Sequence, residues 1–438
     1  MPMVSHSREV GLLRTLARNV VSRTAPAPPI GGQLPRADTI LPPGHQALAE
    51  LSKAILDRFP AMERGTTFIN FRSELFGYLA ENYAGRSTES IGSDQVSTLY
   101  DHFSRWFADA AIPRRVFVPC FISPWSAPRF LLGPAVFVFV EEVRNSEFFP
   151  RDDPARDAFS RLVEQMRETK ATWLACVPIE GCERERAYEL GSLAADLALV
   201  FFQLAAPAFD TGTMSRLEGR RGTTDKRMIS EANGGYDSGW TRAEPGLPIG
   251  PGTLHDILSK NRRLATAVGN LVQSFTTGRF RLPSLERAWC DAAYWLHEGL
   301  AEPLDSIAIA KLETALEVLV RAESTSGSMR RLMVILEAFY RLKPDDPVVE
   351  GSTTTAKQFA SRVVNDRSRI LHGTSSTLHA VLAPDRTGLE RFVIAVIRRT
   401  ALEIEDYSAT LSPNDRIESL LAWTKNRDAA GGTKVAPG

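Results

Sequence analysis

Apolar residues recur at helical spacing through most of the chain. Leu48, Leu51, Ile55 and Leu56 form one stripe, and Tyr100, Phe103, Trp106 and Phe107 form another, so helices are predicted between about 44 and 111. The pattern then shifts. Segments 116–122 and 135–140 are short β-branched and aromatic runs bounded by Pro and Gly, and they read as strands. A third strand is predicted at 173–179, between an amphipathic helix over 157–169 and an apolar helix over 188–204. Together these predict an N-terminal α/β domain with a small sheet over 46–210.

Between 211 and 252 the periodicity vanishes, and Gly, Thr and Arg dominate. Arg216, Arg220, Arg221, Lys226 and Arg227 follow in quick succession, either as a mobile loop reaching RNA phosphates or as a solvated basic linker. From 253 onward the text is helical again, with segments over 253–275, 284–298, 303–323, 328–342, 353–372 and 385–410 separated by Gly and Pro signals. Ile309, Leu312, Leu316 and Leu319 form an unbroken apolar stripe within this region. The expected class is therefore α+β and multidomain. A flexible segment 1–45 precedes the α/β domain, the basic linker 211–252 leads to an all-α bundle over 253–411, and a flexible tail covers 412–438. The start carries Arg8, Arg14, Arg18 and Arg23 against Glu9, which fits a frayed solvated end, a transit peptide or a membrane-surface helix.

Composition narrows the function classes. With 52 basic and 52 acidic residues the formal charge is zero, so any nucleic-acid site has to be a local basic patch. Cys120, Cys176, Cys182 and Cys290 show neither a CxxC pair nor zinc-ligand spacing, as expected of buried thiols in a reducing cytoplasm. No secretory leader is visible. The most apolar stretch, 192–209, is interrupted by Asp196 and Gln203, which suits a buried helix better than a membrane span.

The densest chemistry lies at Asn365-Asp366-Arg367-Ser368-Arg369-Ile370-Leu371-His372-Gly373. It sets a permanent cation, a hydroxyl and a titratable imidazole within two helical turns, ending on a residue able to stop a helix. Cutting RNA through its own 2′-hydroxyl needs a base for that proton, an acid for the leaving 5′-oxygen, and positive charge on the phosphorane-like transition state. His372 suits the proton transfers, since its unperturbed pKa of about 6.5 lies near neutrality. Arg367 suits the charge, because a guanidinium forks onto two phosphate oxygens, and Ser368 can steady the phosphate or the Arg. On an ideal helix, residues five apart point about 140° away from each other, so Arg367 and His372 do not share a face, and Arg369 and Ser368 are the better-placed neighbours of His372.

The spacing Arg367-x4-His372, with a small polar residue after the Arg and a Gly after the His, resembles the signature of the HEPN superfamily. The form Asp-Arg-Ser-x-x-x-His-Gly looks like its Apea-like branch. The resemblance covers about 284–410. It implies a helical bundle, an RNA substrate, no metal or cofactor, and a homodimer that lays one chain's Arg beside the other's His. It also implies that Leu312-Glu313-Thr314-Ala315-Leu316-Glu317 is an acidic helix packed on the motif helix, where Glu313 or Glu317 orients Arg367 or His372, with Asp366 and Arg369 in support. The competing view leaves both glutamates exposed beside the leucine stripe.

The expected function is thus a cytoplasmic, metal-independent endoribonuclease, such as a defence or abortive-infection effector, with a phage- or stress-derived trigger acting on the N-terminal domain. The alternative is a non-catalytic HEPN module that binds RNA, a nucleotide or a partner protein, with Arg367 and His372 as ligand contacts or helix ends. His379 is expected as an ordinary surface histidine. His297-Glu298 lacks the second His of a zincin, and Trp289 and Trp295 suit a core better than base stacking.

Overall fold

The computed structural model describes residues 6–21, 39–84, 87–209, 211–219, 224–321, 325–348, 353–371 and 383–431. The chain divides into two compact units, Met1–Arg114 with Ile179–Glu189, and Arg115–Pro178 with Leu190–Gly438.

The first unit is helical: α1 (Ser7–Asn19), α2 (Pro42–Arg58), α3 (Pro60–Gly65), α4 (Phe68–Tyr83) and α5 (Ser93–Ala110), with a short ribbon of β1 (Val20–Val21) and β2 (Thr39–Ile40). Its core includes Leu48, Leu51, Ile55 and Leu56 of the first predicted stripe and Tyr100 and Phe103 of the second, while Trp106 and Phe107 are only partly buried. Phe71, Leu75, Leu79 and Leu99, which no predicted stripe contained, are fully buried beside them, and Phe71 meets Phe103 edge to face at 5.1 Å. The start of the chain departs from expectation. Over Ser7–Asn19 the backbone is not a frayed end but a helix that buries Leu13, Leu16 and Ala17, and the Arg14 guanidinium donates twice to the Ile91 carbonyl, at 3.0 and 2.8 Å. Arg8, Arg14 and Arg18 lie on the outer face of this amphipathic helix, and Arg23 lies outside the described residues.

The second unit joins a five-stranded sheet to the helical bundle. Strands β3 (Arg114–Phe121), β4 (Phe130–Leu132), β5 (Ala135–Phe139), β6 (Trp173–Ile179) and β7 (Ser215–Arg216) stand in the order β4-β5-β6-β3-β7. The three predicted strands are β3, β5 and β6; the two short edge strands were not foreseen. Helix α6 (Asp153–Thr169) leads into β6, and α7 (Arg184–Ala205) follows it. By length and composition α7 could cross a membrane, yet 83% of its most apolar window is buried, with Val200, Phe201 and Phe202 fully so, which makes it a core helix.

A hairpin of β8 (Thr224–Ala232) and β9 (Gly235–Ala243) comes next, and then α8 (Pro251–Lys260), α9 (Arg262–Thr277), α10 (Pro283–Ala301), α11 (Asp305–Val320), α12 (Thr325–Tyr340), α13 (Ala356–Leu371), α14 (Ala383–Ser408) and α15 (Ile417–Gly431). Trp289 of α10 is fully buried and donates its indole N–H to the Ile397 carbonyl at 3.0 Å. Val393, Val396, Ile397, Ala401 and Ile404 of α14 are fully buried as well.

Three expectations about segmentation change here. The chain does not divide at 210 and 253, because the sheet packs on the bundle: Gly133, just after β4, and Gly269 of α9 approach so closely that a Cβ on Gly269 would lie 2.5 Å from the Gly133 nitrogen. Within the expected linker 211–252, the described residues include β7 and a hairpin of two nine-residue strands rather than loop alone. The expected tail is helical as far as Gly431, with Leu420 and Thr424 fully buried and the Thr424 hydroxyl donating to Glu403 at 3.1 Å.

Candidate functional site

Helix α11 owes its position to its apolar stripe, in which Leu312, Ala315, Leu316, Leu319 and Val320 are buried. Glu313 is buried among them at 2% exposure. A carboxylate at that depth costs several kcal/mol unless a donor or a proton matches it. Glu313, Leu316, Glu317 and Val320 line a small cavity with Ser328 and Leu332 of α12 and Val363 and Val364 of α13. The Ser328 hydroxyl donates to Glu317 Oε1 at 3.0 Å. The view that both glutamates are simply exposed is therefore corrected for Glu313, and Glu317 is half-buried.

Residues Asp366, Arg367, Ser368 and Arg369 lie in the last turns of α13 as described, and their side chains fall outside the described set. Position 367 follows Val363 and Val364 by four and three residues, so on the backbone it comes one turn further along the α13 face that meets α11. His372, Gly373 and His379 lie outside the described residues.

Of the cations assigned to a basic loop, those that are described lie on different strands. Arg216 lies on β7, and its Nε donates to Asp196 Oδ2 of α7 at 2.9 Å; the Arg216 side chain is 23% exposed and that of Asp196 4%. A guanidinium held this way on a buried acid is not available to phosphates, so Arg216 is withdrawn from the RNA-binding set. Arg220 and Arg221 lie outside the described residues. Lys226 and Arg227 are on β8, where Arg227 is exposed and stands opposite Trp240 of β9.

Asp196 belongs to a buried polar cluster that sequence reading missed. His297 Nε2 lies 3.7 Å from Asp196 Oδ1, and its Nδ1 is 3.0 Å from Gln203 Nε2. Cys120 is paired in register with Arg216, and burial, reinforced by the Asp196 charge, pushes its thiol well above the usual range. An acid and an imidazole in sequence resemble part of a hydrolytic relay, but the only nucleophile among these residues is that suppressed thiol, buried with the rest. The cluster is a polar joint between α7, α10 and β7. No local spacing announces it, since its members come from 120 to 297.

Compared with family models, with curated proteins and with solved structures, the chain matches none.

Proposed function

We propose that the chain is a metal-independent endoribonuclease of HEPN type, assembled as a homodimer and serving as a defence or toxin-like effector. The observation that supports this most is the burial of Glu313 against α13, the helix bearing Arg367. An apolar stripe has no packing reason to hold a carboxylate; a neighbouring guanidinium or imidazole supplies one.

On this reading His372 takes the proton from the 2′-hydroxyl and returns one to the departing 5′-oxygen. Arg367 carries the charge of the pentacoordinate phosphate, Ser368 hydrogen-bonds a non-bridging oxygen, and Glu313 fixes the cation. Because positions five apart would diverge by about 140° on an ideal helix, the site on this reading takes Arg367 from one protomer and His372 from its partner. The test is incubation of total RNA in chelator with the wild type, Arg367→Ala and His372→Ala. Cleavage by the wild type alone is the expected result; equal cleavage by all three, or none by the wild type at any concentration, overturns it.

A second reading is a non-catalytic module binding RNA, a nucleotide or a partner protein, and one observation favours its nucleotide- or protein-binding forms. The engagement of Arg216 by Asp196 thins the cationic surface available to RNA. Overexpression separates the two, since growth arrest that disappears with His372→Ala belongs only to the nuclease.

A further inference from the structure

Strands β8 and β9 form a nine-pair antiparallel ladder that joins no other strand among the described residues. Every side chain from Arg227 to Thr241 is exposed, including Ile229 at 76%, Tyr236 at 77% and Trp240 at 63%. A two-stranded ribbon alone is marginal in water, and an unpaired strand edge is a template for another chain.

The turn fixes which backbone groups face that edge. Asn233 and Gly234 both have positive φ, 54° and 79°, the signature of a two-residue type I′ turn. In such a hairpin the closing pair, Ala232 and Gly235, is the hydrogen-bonded one, and the bonded pairs then alternate. Arg227, Ile229 and Glu231 therefore turn their N–H and C=O groups off the outer edge of β8. They also share one face, with Trp240, Ser238 and Tyr236 beside them in register.

We propose that the β8 edge docks a second copy of this chain, in antiparallel two-fold pairing centred on Ile229. Only registers that oppose outward-facing residues can form ladder bonds. Centred on Ile229, Arg227 of each protomer stands opposite the partner's Glu231, and the two Ile229 side chains meet on the axis. Centred one residue earlier, positions 225 and 231 set acid against acid; centred on Arg227, two guanidiniums collide. The outer edge of β9 presents Tyr236, Ser238, Trp240 and Arg242, with no acid for a matching pair. The product is a four-stranded sheet of order β9-β8-β8-β9, whose common face carries Trp240, Arg227, the partner's Glu231 and the partner's Tyr236 in one row. The arm itself suits protein better than RNA, since its three basic and three acidic residues cancel. This surface does not rest on the ribonuclease reading, and its tests are read without RNA cleavage.

The four native cysteines are buried, so a thiol placed on the arm is the accessible one. In the full-length protein under mild oxidation, Ile229→Cys is expected to give a disulfide-linked dimer, whereas Ser230→Cys, on the opposite face and away from the axis, gives several-fold less. Sedimentation velocity supplies the second reading: Arg227→Glu and Glu231→Arg each weaken the dimer at least tenfold, and the double exchange restores it. Equal cross-linking at 229 and 230, a folded Ile229→Cys protein that stays monomeric, or a double exchange no better than the singles overturns the proposal. Binding of RNA to the arm of a monomeric protein also overturns it.

Discussion

Asp196 and Arg216, 20 residues apart in sequence, close an ion pair at 2.9 Å with the acid almost wholly buried. Truncating the cation strands a buried charge, which typically costs about 3–5 kcal/mol. Arg216→Ala is thus expected to move the urea midpoint sharply downward, and Arg216→Ala with Asp196→Asn to recover part of the loss. If Arg216→Ala leaves stability intact and weakens RNA binding instead, the assignment of this arginine is wrong.

Glu313 separates positioning from packing. Glu313→Gln keeps the size and removes the charge, so it should leave the melting temperature within a few degrees and, on the proposed ribonuclease reading, lower RNA cleavage at least tenfold. Glu317→Gln should do less, because Glu317 already accepts from Ser328. Undiminished cleavage by folded Glu313→Gln would remove the acid from the site.

The contact of Gly133 with Gly269 leaves no room for a methyl group. Gly133 also sits at φ 61°, and its own Cβ would fall 2.1 Å from the Gly269 carbonyl oxygen. Backbone cannot rotate away as a side chain can, so Gly269→Ala should cost at least about 1–3 kcal/mol. Gly77, inside α4 with nothing within 4 Å of its Cβ position, is the control. Gly77→Ala should stabilise by about 0.4–1 kcal/mol. Calorimetry of both variants checks the pair.

The C-terminal helix carries a pH signature. Burial pushes the Asp428 carboxyl up, but hydrogen bonds and charge from Arg427 and Arg399 outweigh it and hold the group below the usual carboxylate range. A depressed folded-state pKa contributes stability that is present above the unfolded value of about 3.9 and is lost as pH falls through the folded one. Wild type should therefore exceed Asp428→Asn in urea midpoint at pH 7, and the difference should shrink and close as pH falls below the unfolded value of about 3.9. A gap that persists into stronger acid would contradict this.

Much of the bundle was legible because α9 to α14 repeat apolar residues at helical spacing over three turns or more. The hairpin was not, because its strands mix polar and apolar residues on both faces and lack the in-out alternation of a packed sheet; the signal was Asn233-Gly234, a turn dipeptide read only as linker composition. Strands β4 and β7 have three and two residues, too few to show a period. At the candidate site, Arg367 and His372 were singled out by side-chain chemistry, and Glu313 through the family resemblance of its helix, whereas the leucine stripe alone suggested an exposed glutamate. Arg216 was misjudged because charge in a sequence carries no record of its partner, and Asp196 could be found only by folding.

The residues Ile179–Glu189 return to the first unit after an excursion of more than sixty residues. There Glu183 N donates to the Gly65 carbonyl at 2.8 Å, Arg64 reaches the Glu180 carbonyl at 2.9 Å, and Asn70 holds the Glu183 carboxylate at 3.2 Å. A nascent chain emerging from the ribosome can gather α1 to α5 early but cannot seal them until this peptide has been synthesised. A fragment stopped at residue 114 would leave the Arg64 and Asn70 donors facing water, so it should behave as a collapsed, loosely ordered species rather than an autonomous domain.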